Sequence, residues 1–232
     1  FISPDRDPDT LCPYCDTPLP PNPSPLLQQL LASAFENSKA APRPANPHGR
    51  FASITVFVDL CSRHQLESQI FPVAERNGWP TSVDWDGLAA RVVGMRGDLE
   101  NIIRNEDHRE QSIFWRVLDA DLKRVGPRKV SSIRGQLSRF QREQPGYYGE
   151  KGSLIIHQTL YTMFAESTNK SLVKPLSVRE FIGSVLVPEV GVRLIMVDMS
   201  LGMEGAAAVM RESAEYGVAM FPDKEFEQEG DE

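Results

Sequence analysis

The sequence predicts a mostly α-helical fold, as one multi-helix domain over residues 1–222 followed by a short acidic tail at 223–232. Three observations carry this expectation. Apolar residues recur at spacings of three and four in segment after segment, the period of a helix with one face against a core. No alternation of period two runs longer than four residues, so half-buried strands have little support. Every cysteine falls in one of two short pairs, Cys12-Pro13-Tyr14-Cys15 and, after 45 intervening residues, Cys61-Ser62-Arg63-His64. Three thiolates and one imidazole are the ligand types of a closed tetrahedral zinc shell, and paired two-residue spacings are its usual signature. A structural zinc bound by Cys12, Cys15, Cys61 and His64 is therefore expected at the N-terminal loop.

The elements follow in chain order. Pro13, Pro18, Pro20, Pro21 and Pro23 forbid a regular helix around the first cysteine pair, which places it on a loop. Ser24-Pro25 reads as an N-cap with proline at the first helical position, opening a helix to about Asn37 with Leu26, Leu27, Leu30, Leu31 and Ala34 on one face. Prolines 42, 44 and 47 make 41–50 irregular. From about Phe51, Ile54, Phe57, Val58, Cys61 and Leu66 suit a helix that sets Cys61 and His64 at i and i+3, ending before Pro72, with Asn77-Gly78 as the next stop. Asp84 caps a helix through Ile103 that Gly94 and Gly97 weaken, and Ser112 opens another that stops at Gly126-Pro127.

The segment 129–144 is amphipathic, 145–149 is a break, and an apolar helix spans about Gly152 to Ala165. A helical pattern from Leu176 to Leu186, an apolar segment opened by Pro188, and a last helix from about Met203 to Tyr216 complete roughly eight or nine helices. Short strands are allowed at 53–58 and 192–197, where β-branched residues are frequent.

Composition narrows the function classes. With 232 residues, 41% of them hydrophobic, the chain can bury a substantial core. No run of 18 apolar residues and no basic-then-apolar leader is visible, which argues against a membrane span or secretory signal. The first residue is Phe1 rather than Met, as expected of a piece of a longer protein. Three cysteines are too few and odd in number for a secreted disulfide framework and suit a reducing compartment, nucleus or cytosol.

The net charge of −7 is unevenly spread. Residues 223–232 hold six acids against one lysine, whereas 116–142 hold eight basic side chains against Asp119 and Asp121. That basic segment, with Arg128, Lys129, Arg134 and Arg139, runs into Tyr147 and Tyr148. Cations that neutralise phosphates beside rings that stack on bases are the chemistry of a nucleic-acid surface. The plainer alternative is a solvated helix face and two tyrosines in the core.

Catalytic chemistry finds less support. Cys-Pro-Tyr-Cys is also a redox frame, but there the first cysteine opens a helix after a buried strand. Residues 1–10 are no strand and the proline-rich 17–25 no helix. Asp16 stands where a covalent haem site needs histidine. No G-x-S-x-G, G-x4-G-K or H-E-x-x-H occurs. His157, within an apolar helix, reads as a hydrogen-bonded core residue, and Asp84 as a cap. A buried thiol at Cys61 and a surface His64 remain the plain alternative to metal.

Several separated motifs stand in one order: Leu11-Cys12-Pro13-Tyr14-Cys15 with Pro18-Leu19-Pro20, Cys61 and His64 with Glu67, Gly78-Trp79-Pro80, and Asp84-Trp85. They continue with Gly146-Tyr147-Tyr148-Gly149-Glu150, Leu186-Val187-Pro188-Glu189, Tyr216-Gly217 and Met220-Phe221-Pro222. From about Leu11 to Pro222 the chain resembles the C-terminal domain of the fungal restriction-of-telomere-capping family. The resemblance implies a domain at the end of a longer protein, a nuclear and cytoplasmic location, an association with telomere capping, and no defined enzymatic reaction. The joint expectation is a non-enzymatic, zinc-stabilised module that binds a protein partner, with nucleic-acid binding through 116–142 as the alternative.

Overall fold

The computed structural model describes residues 7–126 and 145–223 and is mostly helical. The apolar pattern sets no boundary inside 1–222. Packing divides the chain into two compact units, Phe1–Trp79 and Pro80–Glu232.

In the first unit, helix α1 (Pro25–Glu36) begins as its sequence dictates, with Ser24 Oγ accepting the Leu27 N–H at 3.2 Å and proline in the first turn. Strands β1 (Lys39–Ala40) and β2 (Arg50–Phe51) pair antiparallel across the proline-rich stretch. This is the one sheet among the described residues. Helix α2 (Ile54–Gln65) packs on α1 around Leu27, Ala34 and Leu60, with Tyr14, Leu30, Leu31, Val56 and Phe57 flanking them.

Helix α2 does not end before Pro72. A π-helical turn, Leu66–Ile70, carries it into α3 (Phe71–Asn77), and the Phe71 N–H reaches back to the Leu66 carbonyl. Proline lacks an N–H and collides with the carbonyl four residues earlier; one extra residue in the turn makes room for its ring. The run then ends at Gly78, whose φ of +68° closes the helix in the left-handed region.

In the second unit, α4 (Trp85–Gly94) is capped by Asp84, whose carboxylate accepts the Gly87 N–H at 3.0 Å. The chain breaks at Met95 into α5 (Arg96–Arg104), and a further short helix, α6 (Glu106–Gln111), follows an Asn105 cap. Helix α7 (Ile113–Val125) starts at Ser112 and stops at Gly126, as its sequence requires. A 3-10 turn at Gly146–Tyr148 leads into α8 (Gly149–Phe164), which packs on α4. Helix α9 (Val178–Phe181) has a full Ser177/Glu180 capping box. A second π-helical turn, Ile182–Leu186, carries it past Pro188 into α10 (Val187–Met199). The Val187 N–H bonds to the Ile182 carbonyl, repeating the device used at Pro72.

Helix α10 is the buried axis of this unit, with Val187, Val190, Val192, Leu194 and Ile195 all enclosed. Helices α11 (Met203–Glu212) and α12 (Ala214–Met220), separated at Ser213, cover it and the 146–148 turn. Gly217 and Gly146 pass so closely that a Cβ on Gly217 would meet the Gly146 carbonyl at 2.1 Å. Both sites allowed as strands, 53–58 and 192–197, are helical apart from the Ser53 cap, because their apolar residues face a core on one side only or are enclosed by neighbouring helices. His157 is half-buried on α8, its ring stacked 6.3 Å from Tyr161, and not a core residue.

Candidate metal centre

Cys12 and Cys15 sit on a tight turn that backbone bonds define. Leu11 bridges Pro18, the Cys12 N–H donates to the Thr17 carbonyl at 2.9 Å, and the Asp16 N–H donates to the Cys12 carbonyl at 3.2 Å. The turn forces Asp16 to φ +61°, a conformation that aspartate tolerates better than most residues. Its carboxylate is held from the hairpin side. Arg43 donates to it at 2.7 and 3.0 Å, and Asn46 Nδ2 at 2.8 Å. The same two side chains bond the turn's backbone, Arg43 Nη2 to the Pro13 carbonyl at 2.6 Å and Asn46 Nδ2 to the Cys12 carbonyl at 3.0 Å. With Arg50 N–H donating to the Pro13 carbonyl, the 39–51 segment buttresses the cysteine turn.

Helix α2 supplies the other pair. At i and i+3, Cys61 and His64 project from one face. The Cys12 and Cys61 sulfurs lie 3.9 Å apart, Cys15 Sγ lies 3.1 Å from His64 Nε2, and all four ligand atoms fall within 4.8 Å of one another. A tetrahedral centre with bonds of about 2.3 Å to sulfur has edges of about 3.8 Å, so the cluster has the dimensions of a shell around one ion. His64 is fully buried, and its Nδ1 has no hydrogen-bond partner among the described residues. Its orientation is set by the helix and by the cluster it faces.

The electrostatics of the four groups conflict without a cation. Hydrogen bonds from Cys12 and Cys61 push the Cys15 thiol far down, whereas Cys12 and Cys15 push Cys61 far up. Burial works against a charged His64, but the bonds to Cys12 and Cys15 outweigh it and raise the imidazole to about 9. Three adjacent sulfurs cannot all be thiolates in their own mutual field, and a divalent cation at their centre removes that conflict. The four residues are thus close enough, and chemically suited, to bind a metal ion.

The sequence-derived binding surface fares differently. Arg128, Lys129, Arg134 and Arg139 lie outside the described residues, as does the acidic tail beyond Asp223. Tyr147 and Tyr148 are 0% and 1% exposed, stacked on each other at 5.0 Å. Both hydroxyls donate to Asp198 Oδ2, Tyr147 at 2.9 Å, and Arg91 closes the network with bonds to Asp198 and the Tyr148 hydroxyl. Rings so enclosed have no face for a base, so the core alternative is the correct one for these two residues.

The profile of the RTC4-like domain matches residues 107–222, half of the chain. The chain belongs to the RTC4-like domain family. No curated protein and no solved structure matches it. The RTC4-like match lies within the second unit and takes in Gly146–Glu150, Leu186–Glu189, Tyr216-Gly217 and Met220–Pro222. Cys12, Cys15, Cys61 and His64, together with Asp84-Trp85, fall outside the RTC4-like match. Among the described residues no helix is long and apolar enough to cross a membrane.

The cluster's supports, Asp16, Arg43 and Asn46, were not singled out from sequence. Only the adjacency of Asp16 to Cys15 hinted at them; Arg43 and Asn46 sit in the proline-rich stretch, where no periodicity announces a role.

Proposed function

We propose that this protein is a non-enzymatic, zinc-stabilised interaction module that binds a protein partner in a nuclear, telomere-related complex. The observation that carries the reading is the four-ligand cluster of Cys12, Cys15, Cys61 and His64. Three sulfurs and one imidazole favour zinc over harder cations, and four protein ligands leave no coordination position for water or substrate. Zinc in such a shell supplies folding energy and no reaction. The telomere-related and nuclear parts of the reading rest on membership of the RTC4-like family.

In this reading the turn at 12–15 and helix α2 are clasped together, and the hairpin side chains orient the turn before the ion arrives. The test is elemental analysis of the native chain, with one zinc per chain expected and no stoichiometric metal overturning it. Affinity isolation from nuclear extract under mild salt is the second arm. A stoichiometric protein partner that survives nuclease treatment is expected, and recovery that depends on nucleic acid would transfer the reading to the 116–142 segment.

A further inference from the structure

A cavity of about 330 Å³ opens in the second unit between α5, α6, the Ser112 cap and the first two turns of α10. Its floor holds Glu189, a carboxylate that is 2% exposed and belongs to no part of the metal centre. Glu189 Oε2 accepts one bond, from Ser112 Oγ at 2.9 Å, while Oε1 takes both Arg193 contacts, Nε and Nη2 at 3.2 Å each. The far side of Arg193 is occupied too, by Asp98 Oδ2 at 3.0 Å.

The cavity therefore contains two carboxylates, the exposed imidazole of His108 and one guanidinium, and that guanidinium is engaged on both sides. A carboxylate offers about four acceptor positions, and both of these have some left over. At the mouth, the exposed side chains of Asn101 and Gln111 add two amide oxygens, and neither makes a side-chain hydrogen bond among the described residues. Ile102 and Met203 give the wall an apolar strip. Two carboxylates against one permanent cation, the Arg193 guanidinium that both of them already engage, favour a cation over an anion. A cation on a short hydrocarbon stem finds acceptors at the floor and mouth and contact along the wall. The volume is at the small end for binding sites, enough for one such group and not for a folded segment.

We propose that this cavity is a binding site for an alkylammonium group, carried either by a lysine side chain of a polypeptide or by a small free amine. The proposal does not depend on the metal reading. It is tested by two-dimensional amide NMR of the whole chain, titrated with n-butylamine, with a peptide of glycine and serine around one lysine, and with neutral n-butanol. Saturable shifts at residues 101, 111 and 193 are expected for both amines, with a dissociation constant on the order of millimolar for butylamine. A peptide that binds more tightly than butylamine identifies the polypeptide source; one that binds no more tightly identifies the free amine.

Glu189→Gln should weaken binding at least about tenfold, and Asp98→Asn, at an exposed pair, about threefold. Absent shifts, shifts equal to those of n-butanol, or an unchanged constant in Asp98→Asn would each overturn the site. Asp98 is exposed, so its isosteric substitution is expected to leave the fold intact, and that arm decides alone if Glu189→Gln misfolds.

Discussion

Asp16 and Arg109 show how single side chains do work that no motif advertises. Asp16 holds the cysteine turn in its left-handed corner because Arg43 and Asn46 both bond its carboxylate and the turn's backbone. Groups that orient ligands contribute to metal affinity nearly as the ligands do. Arg43→Ala should therefore weaken metal binding by about 10- to 100-fold without removing a ligand, measured by competition with a chromophoric chelator. Cys61→Ser, which removes one, should lose stoichiometric metal altogether. Arg109 is buried with no carboxylate in salt-bridge contact among the described residues and donates instead to the carbonyls of Ile102, Ile103 and Leu172, at 3.1, 2.5 and 2.7 Å. It closes the last turn of α5 and lies between the rings of Trp115 and Phe181. Burial lowers its pKa, yet guanidinium stays charged. Arg109→Met keeps the stem and strands three carbonyls, so a loss of about 3 kcal/mol is expected in denaturant unfolding.

At the scale of elements, the join between α1 and α2 runs through Glu67 in the π-helical turn. Its buried carboxylate accepts both the N–H and the hydroxyl of Ser24, the α1 cap, and pairs with Arg63. Burial alone would raise the pKa of Glu67, but the Ser24 bonds and Arg63 outweigh it and hold the carboxyl below its ordinary range. A depressed folded pKa gives stability that is fully present above the unfolded value of about 4.3 and fades as pH falls through the folded one. The advantage of the native chain over Glu67→Gln should thus be constant near neutrality and shrink on acidification, as thermal unfolding of the pair at several pH values would show. An advantage that grows in acid would refute this account. The caps Ser24, Asp84 and Ser112 and the stop at Gly78 were all legible, since each acts on its own next turn. The helices that run past Pro72 and Pro188 were not. Proline argues locally for an end, and only the packing of the flanking turns into one core makes a π-helical detour the better solution.

For the whole molecule, the chain packs as two units, and all four residues of the candidate metal centre belong to the first. That unit has a small core around Leu27, Ala34 and Leu60, of a size that a metal commonly has to supplement. Structural zinc contributes on the order of 10 kcal/mol in small domains. Chelation should therefore abolish amide-exchange protection in 11–79 while leaving the α8 and α10 amides protected. Loss of protection in both units together would show instead that they unfold as one.

The sequence by itself determined the helical class, the caps and the pairing of Cys12, Cys15, Cys61 and His64 as one candidate cluster, because these depend on residue type and short spacing. Only the tertiary structure decided that Tyr147 and Tyr148 are core residues bonded to Asp198, that Arg43 and Asn46 hold the cysteine turn, and that Glu189 and Asp98 share a cavity. Those pairings join residues tens of positions apart, and a charge or ring carries no mark of which distant partner the fold will bring to it.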